Sequence, residues 1–461
     1  MVRIIGTWDV VVAGSGSAGL VAAVAAAREG ARTLLVERYG FLGGNLTAGM
    51  LGNFLTFHNM RGEQIVGGIP QEIVDRLMAR GGSPGHLRNA YGNAYSVTPY
   101  DTEAMKAVAL EITQEAGVEL LLHTFITDTL VEDRRVRGLQ VANKSGLQLI
   151  LGRTVVDASG DGDVAALAGA AFEKGRPEDG ATMAMTLMFR VANVDTDRVA
   201  EEVRQRPGQF ILAEDPYIGK SREEVAAGIR SLHDAPLLTG WFDLVAMAKR
   251  RGEFHPNRQR VVISLSPRPG EVYVNSTAVV RYDGTDARQL TAAEVEARRQ
   301  VDVVFTFLRR YVAGFEQAVL AEVAPGIGVR ETRRILGEYV LTLEDVLEGR
   351  TFPDGVAKGA YAVDVHEPDG TIWHKHVKDG RAYDIPYRCL VPRDVDGLLV
   401  AGRCISVSRE ALGSTRVTAQ TMAVGQAAGT AAALAAKEGI EPRRIPAGVL
   451  RTTLAARGAI V

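Results

Sequence analysis

The sequence predicts an α/β fold: a doubly wound, mostly parallel sheet with an inserted β-meander, joined to a second, mixed α+β domain. Three observations predict it. Asp9–Arg38 reads as strand, glycine-rich turn, helix and second strand. Phe125–Leu151 alternates apolar and polar residues in short runs, separated by turn residues at Asp133-Arg134 and Lys144-Ser145-Gly146. That period-two pattern is an antiparallel meander. Leu398–Arg403 then returns to the apolar composition of a buried parallel strand after a central stretch of different character. The sheet-forming domain is therefore expected to be discontinuous, 1–174 plus 385–461. Residues 175–384 form the second, cap-like domain.

The first segment carries the most chemistry. Val10–Val12 is a short apolar strand, and Gly14-Ser15-Gly16-Ser17-Ala18-Gly19 fits G-x-G-x-x-G. Gly14 permits the tight strand-to-helix turn, Gly16 lets main chain approach a pyrophosphate, and Gly19 lets helix and strand pack closely. The helix that follows offers free N–H groups and the positive end of its dipole to phosphates. Glu37, at the end of the strand Thr33–Val36, can accept hydrogen bonds from ribose hydroxyls. Strand, helix, second strand and terminal acid in register make the motif specific.

Composition sets the outer limits. A chain of 461 residues has room for two or three domains. Its formal charge of −2 removes the general electrostatic basis for binding nucleic acid or an acidic membrane. Two cysteines, Cys389 and Cys404, are too few for a disulfide framework, a C-x-x-C pair or a four-cysteine metal site. Met1–Trp8 has no signal-peptide apolar run, so a cytoplasmic location is expected. Val417–Ala436 is interrupted by Gln420 and Gln426 and reads as a helix buried on a sheet, not a membrane span.

The remaining elements follow in order. Arg38–Phe57 holds five glycines, with Gly43-Gly44 the expected contact to a dinucleotide. Pro70–Arg80 and Asp101–Ala116 are expected helices, flanking a polar stretch, Gly81–Tyr100, that reads as a surface excursion. Val118–His123 and Thr154–Ala158 are strands, the latter ending in the small-residue loop Ala158–Asp163 before a helix Val164–Ala170. Such a loop, at a strand's C-terminal end, is where open α/β sheets bind ligands. Met183–Val191 is a strand, and Val261–Ser266 pairs with Glu271–Asn275 as a hairpin. Thr291 and Glu294 form a capping box for a helix through Tyr311, with Val301, Val304, Phe305 and Leu308 inward. Arg334–Leu341 reads as a strand and Thr342–Leu347 as a short helix. Gly413-Ser414-Thr415 opens a long helix, Arg416–Ala436.

These stretches resemble the FAD-dependent oxidoreductases of the glutathione-reductase-type dinucleotide fold, in the branch that includes succinate dehydrogenase flavoproteins. The resemblance rests on GSGSAG with Glu37, FLGGNLTAG, DASGDGDVAALAG, GVRETRRILGEYVLT, FPDGVAKGAYAVDVH, YDIPYRCLVP and LLVAGRCISVSREALGSTRV, in family order over nearly the whole chain. It implies FAD as cofactor. It implies that Gly14, Ser15, Gly16, Ser17, Ala18 and Gly19 hold the pyrophosphate and that Glu37 and Arg38 meet the ribose. Gly43, Gly44 and Asn45 would pass near pyrophosphate and flavin, Phe125 and Ile126 near adenine, and Ala158, Ser159 and Gly160 along the AMP side. Gly402 and Arg403 would lie by the ribityl chain. Gly413, Ser414, Thr415, Arg416 and Val417 would form a helix start facing the flavin's pyrimidine edge. A helix N-terminus there would stabilise negative charge on reduced flavin.

Candidate catalytic groups are weaker signals. Arg330 and Arg333 lie in an arginine cluster that suits a carboxylate through bidentate bonds; ion pairing with Glu331 and Glu338 is the alternative. Tyr339 could donate to a substrate oxygen. His58 follows the glycine-rich loop, and His366 is a candidate acid or base. Arg388 and Arg409 flank the expected flavin on the C-terminal side. His374-x-His376 sits in EPDGTIWHKHVKDG, whose polar, turn-rich character reads as a surface hairpin rather than a metal pair, and no metal site is expected. The expected reaction is hydride transfer between flavin N5 and a small organic substrate, anionic if the arginines serve it, between flavin and cap. The alternatives are an electron-transfer subunit of a partner complex or a flavoprotein acting on a macromolecule such as tRNA. No second G-x-G-x-x-G is present, which leaves the electron acceptor open, as is a homo-oligomeric state.

Overall fold

A computed structural model describes residues 3–90, 92–212 and 219–461; residues 1–2, at the head of the Met1–Trp8 stretch, 91 and 213–218 lie outside it. A seven-stranded sheet organises the first half. Its strands run Glu119–Leu121, Thr33–Val36, Arg3–Ala13, Gly146–Asp157, Arg135–Asn143 and Phe125–Glu132, with Leu398–Val400 paired to Gly146–Asp157. The first four strands and Leu398–Val400 pair in parallel, and the meander pairs antiparallel. The C-terminal segment thus supplies a strand to the N-terminal sheet.

The third meander strand and the expected strand Thr154–Ala158 are one continuous element, Gly146–Asp157. Arg3–Ala13 runs beside it from Gln148 to Asp157, with one irregularity between Ile4 and Gly6, and so holds the two expected strands as one.

Two long apolar helices cover the parallel part. Ser17–Arg28 and Thr418–Glu438 pack main chain to main chain: a Cβ on Gly425 would lie 2.2 Å from Ala18 O, and one on Gly429 2.0 Å from Ala22 O. This contact explains the alanine and glycine content of the second helix. Among the described residues no helix is long and apolar enough to cross a membrane.

A second, five-stranded antiparallel sheet runs Leu237–Gly240, Val261–Leu265, Val272–Val274, Phe189–Ala192 and Val319–Val323. The helix Ala287–Tyr311 covers it, burying Val301, Val304, Phe307 and Leu308 in a core distinct from that of the first sheet. Phe305 is only partly buried, and Phe307 takes the inward place expected of it. Asp286 caps this helix, not Thr291; the Thr291 hydroxyl donates to Ala287 O (2.7 Å), and Glu294 accepts from Ile327 N (2.7 Å).

Other expectations shift for identifiable reasons. Gly81–Tyr100 is not a surface excursion. Ala94, Val97 and Tyr100 are buried, and Tyr100 stacks on Phe54 with ring centroids 4.3 Å apart. Its polar groups are satisfied internally, as when Tyr100 Oη donates to Leu46 O. Of Met183–Val191 only the end belongs to a strand, Phe189–Ala192, and of Arg334–Leu341 only Arg333–Ile335. Gly413–Thr415 closes a separate helix, Arg409–Thr415, capped by Ser408. Val417 is extended (φ −70°, ψ 149°) and breaks the run, so the long helix begins at Thr418.

Candidate functional site

At the end of the first strand, Gly14 and Gly19 are packing glycines. A Cβ on Gly19 would sit 1.8 Å from Gly14 O. Gly16 differs: nothing lies within 4 Å of its Cβ position, because that side faces a cavity. Gly44 presses on the back of the turn, where a Cβ would meet Gly16 Cα at 2.8 Å. Glu37, only 5% exposed, accepts from Ser15 N (2.8 Å), Ser15 Oγ (2.6 Å) and Tyr39 N (2.9 Å), which ties the second strand to the turn.

The cavity, of about 420 Å³, is within the range of small-molecule sites. It runs from this cradle to the five-stranded sheet. The walls near the cradle include Ser15, Ser17, Ala18, Arg38, Asn45, Phe125, Ile126, Ala158, Ser159, Gly160, Gly402 and Arg403. Arg403 donates to Asp161 Oδ1 (2.5 Å) and Thr332 Oγ1 (2.7 Å), pinning the Ala158–Asp163 loop. Behind that loop lies buried Asp157, which accepts from Ser159 N, Ser159 Oγ and Ala165 N; burial pushes its carboxyl up to about 6. Val417 and Thr418 bring the start of the long helix, which has no side-chain cap, to the same wall. An open glycine face with two helix N-termini turned to one cavity suits a dinucleotide pyrophosphate.

The sequence profile of the family described as FAD dependent oxidoreductase matches residues 9–454. The chain belongs to this family. It is an FAD-dependent oxidoreductase, and the cradle is suited to the cofactor. Thiamine thiazole synthase of Aeropyrum pernix is 37% identical over 142 residues, 30% of this chain and 45% of that protein, so the match spans less than half of that relative. A geranylgeranyl bacteriochlorophyll reductase-like protein of Thermoplasma acidophilum has a similar structure, with TM-score 0.50 and 14% identity over 98% of this chain and 84% of that one. The flavin-dependent brominase Bmp2 gives TM-score 0.51 and 13% identity over 97% and 83%. At these identities the likeness is one of fold alone.

The far end of the oxidoreductase cavity is lined by side chains. Val363–His366 and Ile372–Lys375 form a hairpin that places Asp364 opposite His374, with His366 two residues on and on the same face. Asp364 Oδ2 meets His366 Nε2 (3.0 Å) and Arg416 Nη2 (3.2 Å), and Oδ1 meets His374 Nε2 (2.9 Å). Burial pushes the Asp364 carboxyl up, but His366, His374 and Arg416 outweigh it and hold it well below the usual carboxylate range. Burial drives His366 down to about 3, against the pull of Asp364 and helped by Arg330 and Arg258. The hairpin read as surface is thus a cavity wall, its polarity spent on an internal charge cluster. Arg330, Arg258, Arg260, Asn275, Thr186, Tyr361 and Asn93 complete this end.

Several expected site residues stand elsewhere. His58 bonds Ser96 Oγ (3.0 Å) and packs edge-on against His86, outside the cavity wall. Arg333 donates to Asp161 O and Asp163. Tyr339 donates to Asp345 (2.8 Å) and packs on Phe352. Arg388 grips Asp354, and Arg409 pairs with Glu331 and Glu367. Each of these side chains is engaged by a structural partner and lines no part of the cavity. Gly19 and Gly43 support the cradle from behind, Gly43 N donating to Ser15 O. Gly413 packs on the Asp364 main chain, and Ser414 Oγ donates to Tyr361 O, so residues 413–415 back the wall while Arg416 and Val417 form it. Arg258, Arg260, Asn93, Asn275, Thr186 and Tyr361 escaped sequence reasoning. Their one local signal is the arginine pair at i, i+2 before the strand Val261–Leu265.

Proposed function

We propose that this oxidoreductase exchanges a hydride with a small organic substrate held at the cap-sheet end of the cavity, beside Asp364, His366 and His374. The observation that carries the reading is the continuity of one cavity from Gly16 to that hairpin. FAD, when bound, supplies the two-electron centre for the exchange. The protein's own contribution is proton management. Ionised Asp364 faces Nε2 of both histidines, so in their neutral forms each Nε2 carries the ring proton and each Nδ1 is left as the acceptor. A substrate O–H or N–H proton has the His374 imidazole to move to, with Asp364 stabilising the imidazolium that results, while His366, held down to about 3, stays neutral and serves the substrate only as a hydrogen-bond acceptor. The five-stranded sheet closes this end, with Met188, Leu237 and Val262 giving it an apolar lining.

The test is anaerobic absorbance of the FAD-loaded protein against alcohols, amines and hydroxy acids, with NADH and NADPH as separate arms. Bleaching by an organic compound, reversed by an added acceptor, is the expected result. Flavin that stays oxidised with the whole panel overturns the reading.

A further inference from the structure

Arg330 differs in its partners from Arg388, Arg190, Arg334 and Arg409, each of which grips a carboxylate. Arg388 lays Nε and Nη2 on Asp354 at 2.9 and 3.1 Å. Arg190 spans Glu271 and Glu322, Arg334 pairs with Glu331, and Arg409 with Glu331 and Glu367. Arg330 instead donates twice from Nη1, to Ala184 O and Thr186 Oγ1, both at 2.6 Å. Among the described residues, no carboxylate lies within ion-pair distance of it, and its Nε and Nη2 have no protein acceptor. That open edge is the same fork with which Arg388 holds a carboxylate, and Arg330 lines the cavity.

The surroundings reinforce the demand for an anion. Thr186 is itself fixed, donating to Thr277 O (3.1 Å), so Nη1 is anchored and the fork is pre-set. Arg258, only 4% exposed, and Arg416 line the same end. The carboxylate nearby, Asp364, already serves two histidines and Arg416. Burial and repulsion from Arg258 and Arg416 pull the Arg330 guanidinium well below the usual arginine range. A guanidinium keeps its proton at physiological pH, so a desolvated one is stabilised by a counter-ion.

We propose that Arg330 anchors a carboxylate subsite: a small organic acid lies side-on against its Nε and Nη2, with the rest of the molecule toward His366 and His374. A planar carboxylate matches the fork with two parallel hydrogen bonds. That the acid is the substrate rests on the proposed function; the anion subsite itself does not.

The test is calorimetric titration of FAD-loaded protein with three pairs matched in shape: glycolate and glycolamide, succinate and succinamide, benzoate and benzamide. At least one carboxylate is expected to bind about tenfold or more tighter than its amide, the effect of one charge-assisted bond. Arg330→Gln should erase the preference and Arg330→Lys restore part of it. Equal binding within all three pairs overturns the subsite, and so does a preference that survives in Arg330→Gln. A lowered flavin potential in Arg330→Gln with unchanged carboxylate binding also overturns it, by assigning the charge to the flavin. If Arg330→Gln does not fold, the wild-type pairs decide alone. A carboxylate preference in protein that no compound reduces leaves the subsite standing and removes the proposed function. Flavin reduction by uncharged compounds, without a carboxylate preference, does the reverse.

Discussion

The cradle end of the cavity presents main chain, whereas the end at the five-stranded sheet presents side chains held by other side chains. Gly16–Ala18 and the start of the long helix offer N–H groups whose placement follows from turn and helix geometry. At the other end, Asp364 is placed by a hairpin, His374 by the facing strand, Arg330 by Thr186, and Arg416 by the junction of two helices. The difference teaches a division of labour. A wall of main chain tolerates few replacements and suits an unvarying ligand such as a pyrophosphate. A wall of side chains sets charge and proton affinity, which is what distinguishes one substrate from another.

The sharpest way to break this comparison is at the glycines. Gly19→Ala should abolish folding, because its Cβ has no room against Gly14 O. Gly16→Val should fold, since its Cβ meets open space, yet weaken FAD binding about 100-fold, roughly 2.8 kcal/mol. Thermal unfolding of the apo-protein and FAD titration separate the two. A folded, FAD-binding Gly16→Val protein would disprove the main-chain cradle.

At the side-chain end, Asp364→Asn should cost about 3 kcal/mol, since it strands Arg416 and both histidines. The folded carboxyl lies below its ordinary 3.8, so its contribution is complete above that pH and is lost as pH falls through the folded value. The stability gap between wild type and Asp364→Asn should therefore close only in strong acid. His366 acts on a different window. Its folded value of about 3 lies below the ordinary 6.5, so it removes stability as pH falls between them. His366→Gln should flatten that slope in chemical denaturation run from pH 7 to pH 4. The smallest effect belongs to Arg388→Gln, which breaks a pair whose arginine is 42% exposed. It should cost about 0.5 kcal/mol and leave flavin and ligand binding unchanged.

The legible part of this protein was the part written in consecutive residues. Asp9–Arg38 declares strand, turn, helix, strand and acid within one stretch, and the bonds that join them, Glu37 to Ser15 among them, span 22 residues. The meander was visible for the same reason, although its last strand and Thr154–Ala158 merged once Arg3–Ala13 lay beside them. The arginine-rich segment was visible too, but its members could not be told apart by sequence. Arg333 and Arg330 are three residues apart, yet the first meets Asp161 and Asp163 and the second meets the cavity.

By its own pattern, then, the sequence determined the dinucleotide cradle, the parallel sheet and the family. Hydrophobic period, turn glycines and helix starts act over a few residues and leave their mark locally. Only the tertiary structure decided which charged side chains are spent on one another and which face the cavity. Thr186 and Arg330 lie 144 residues apart, and Asp364 and Arg416 lie 52 apart. Such pairings depend on how separate segments pack, and a side chain's availability is what remains after its neighbours have been satisfied.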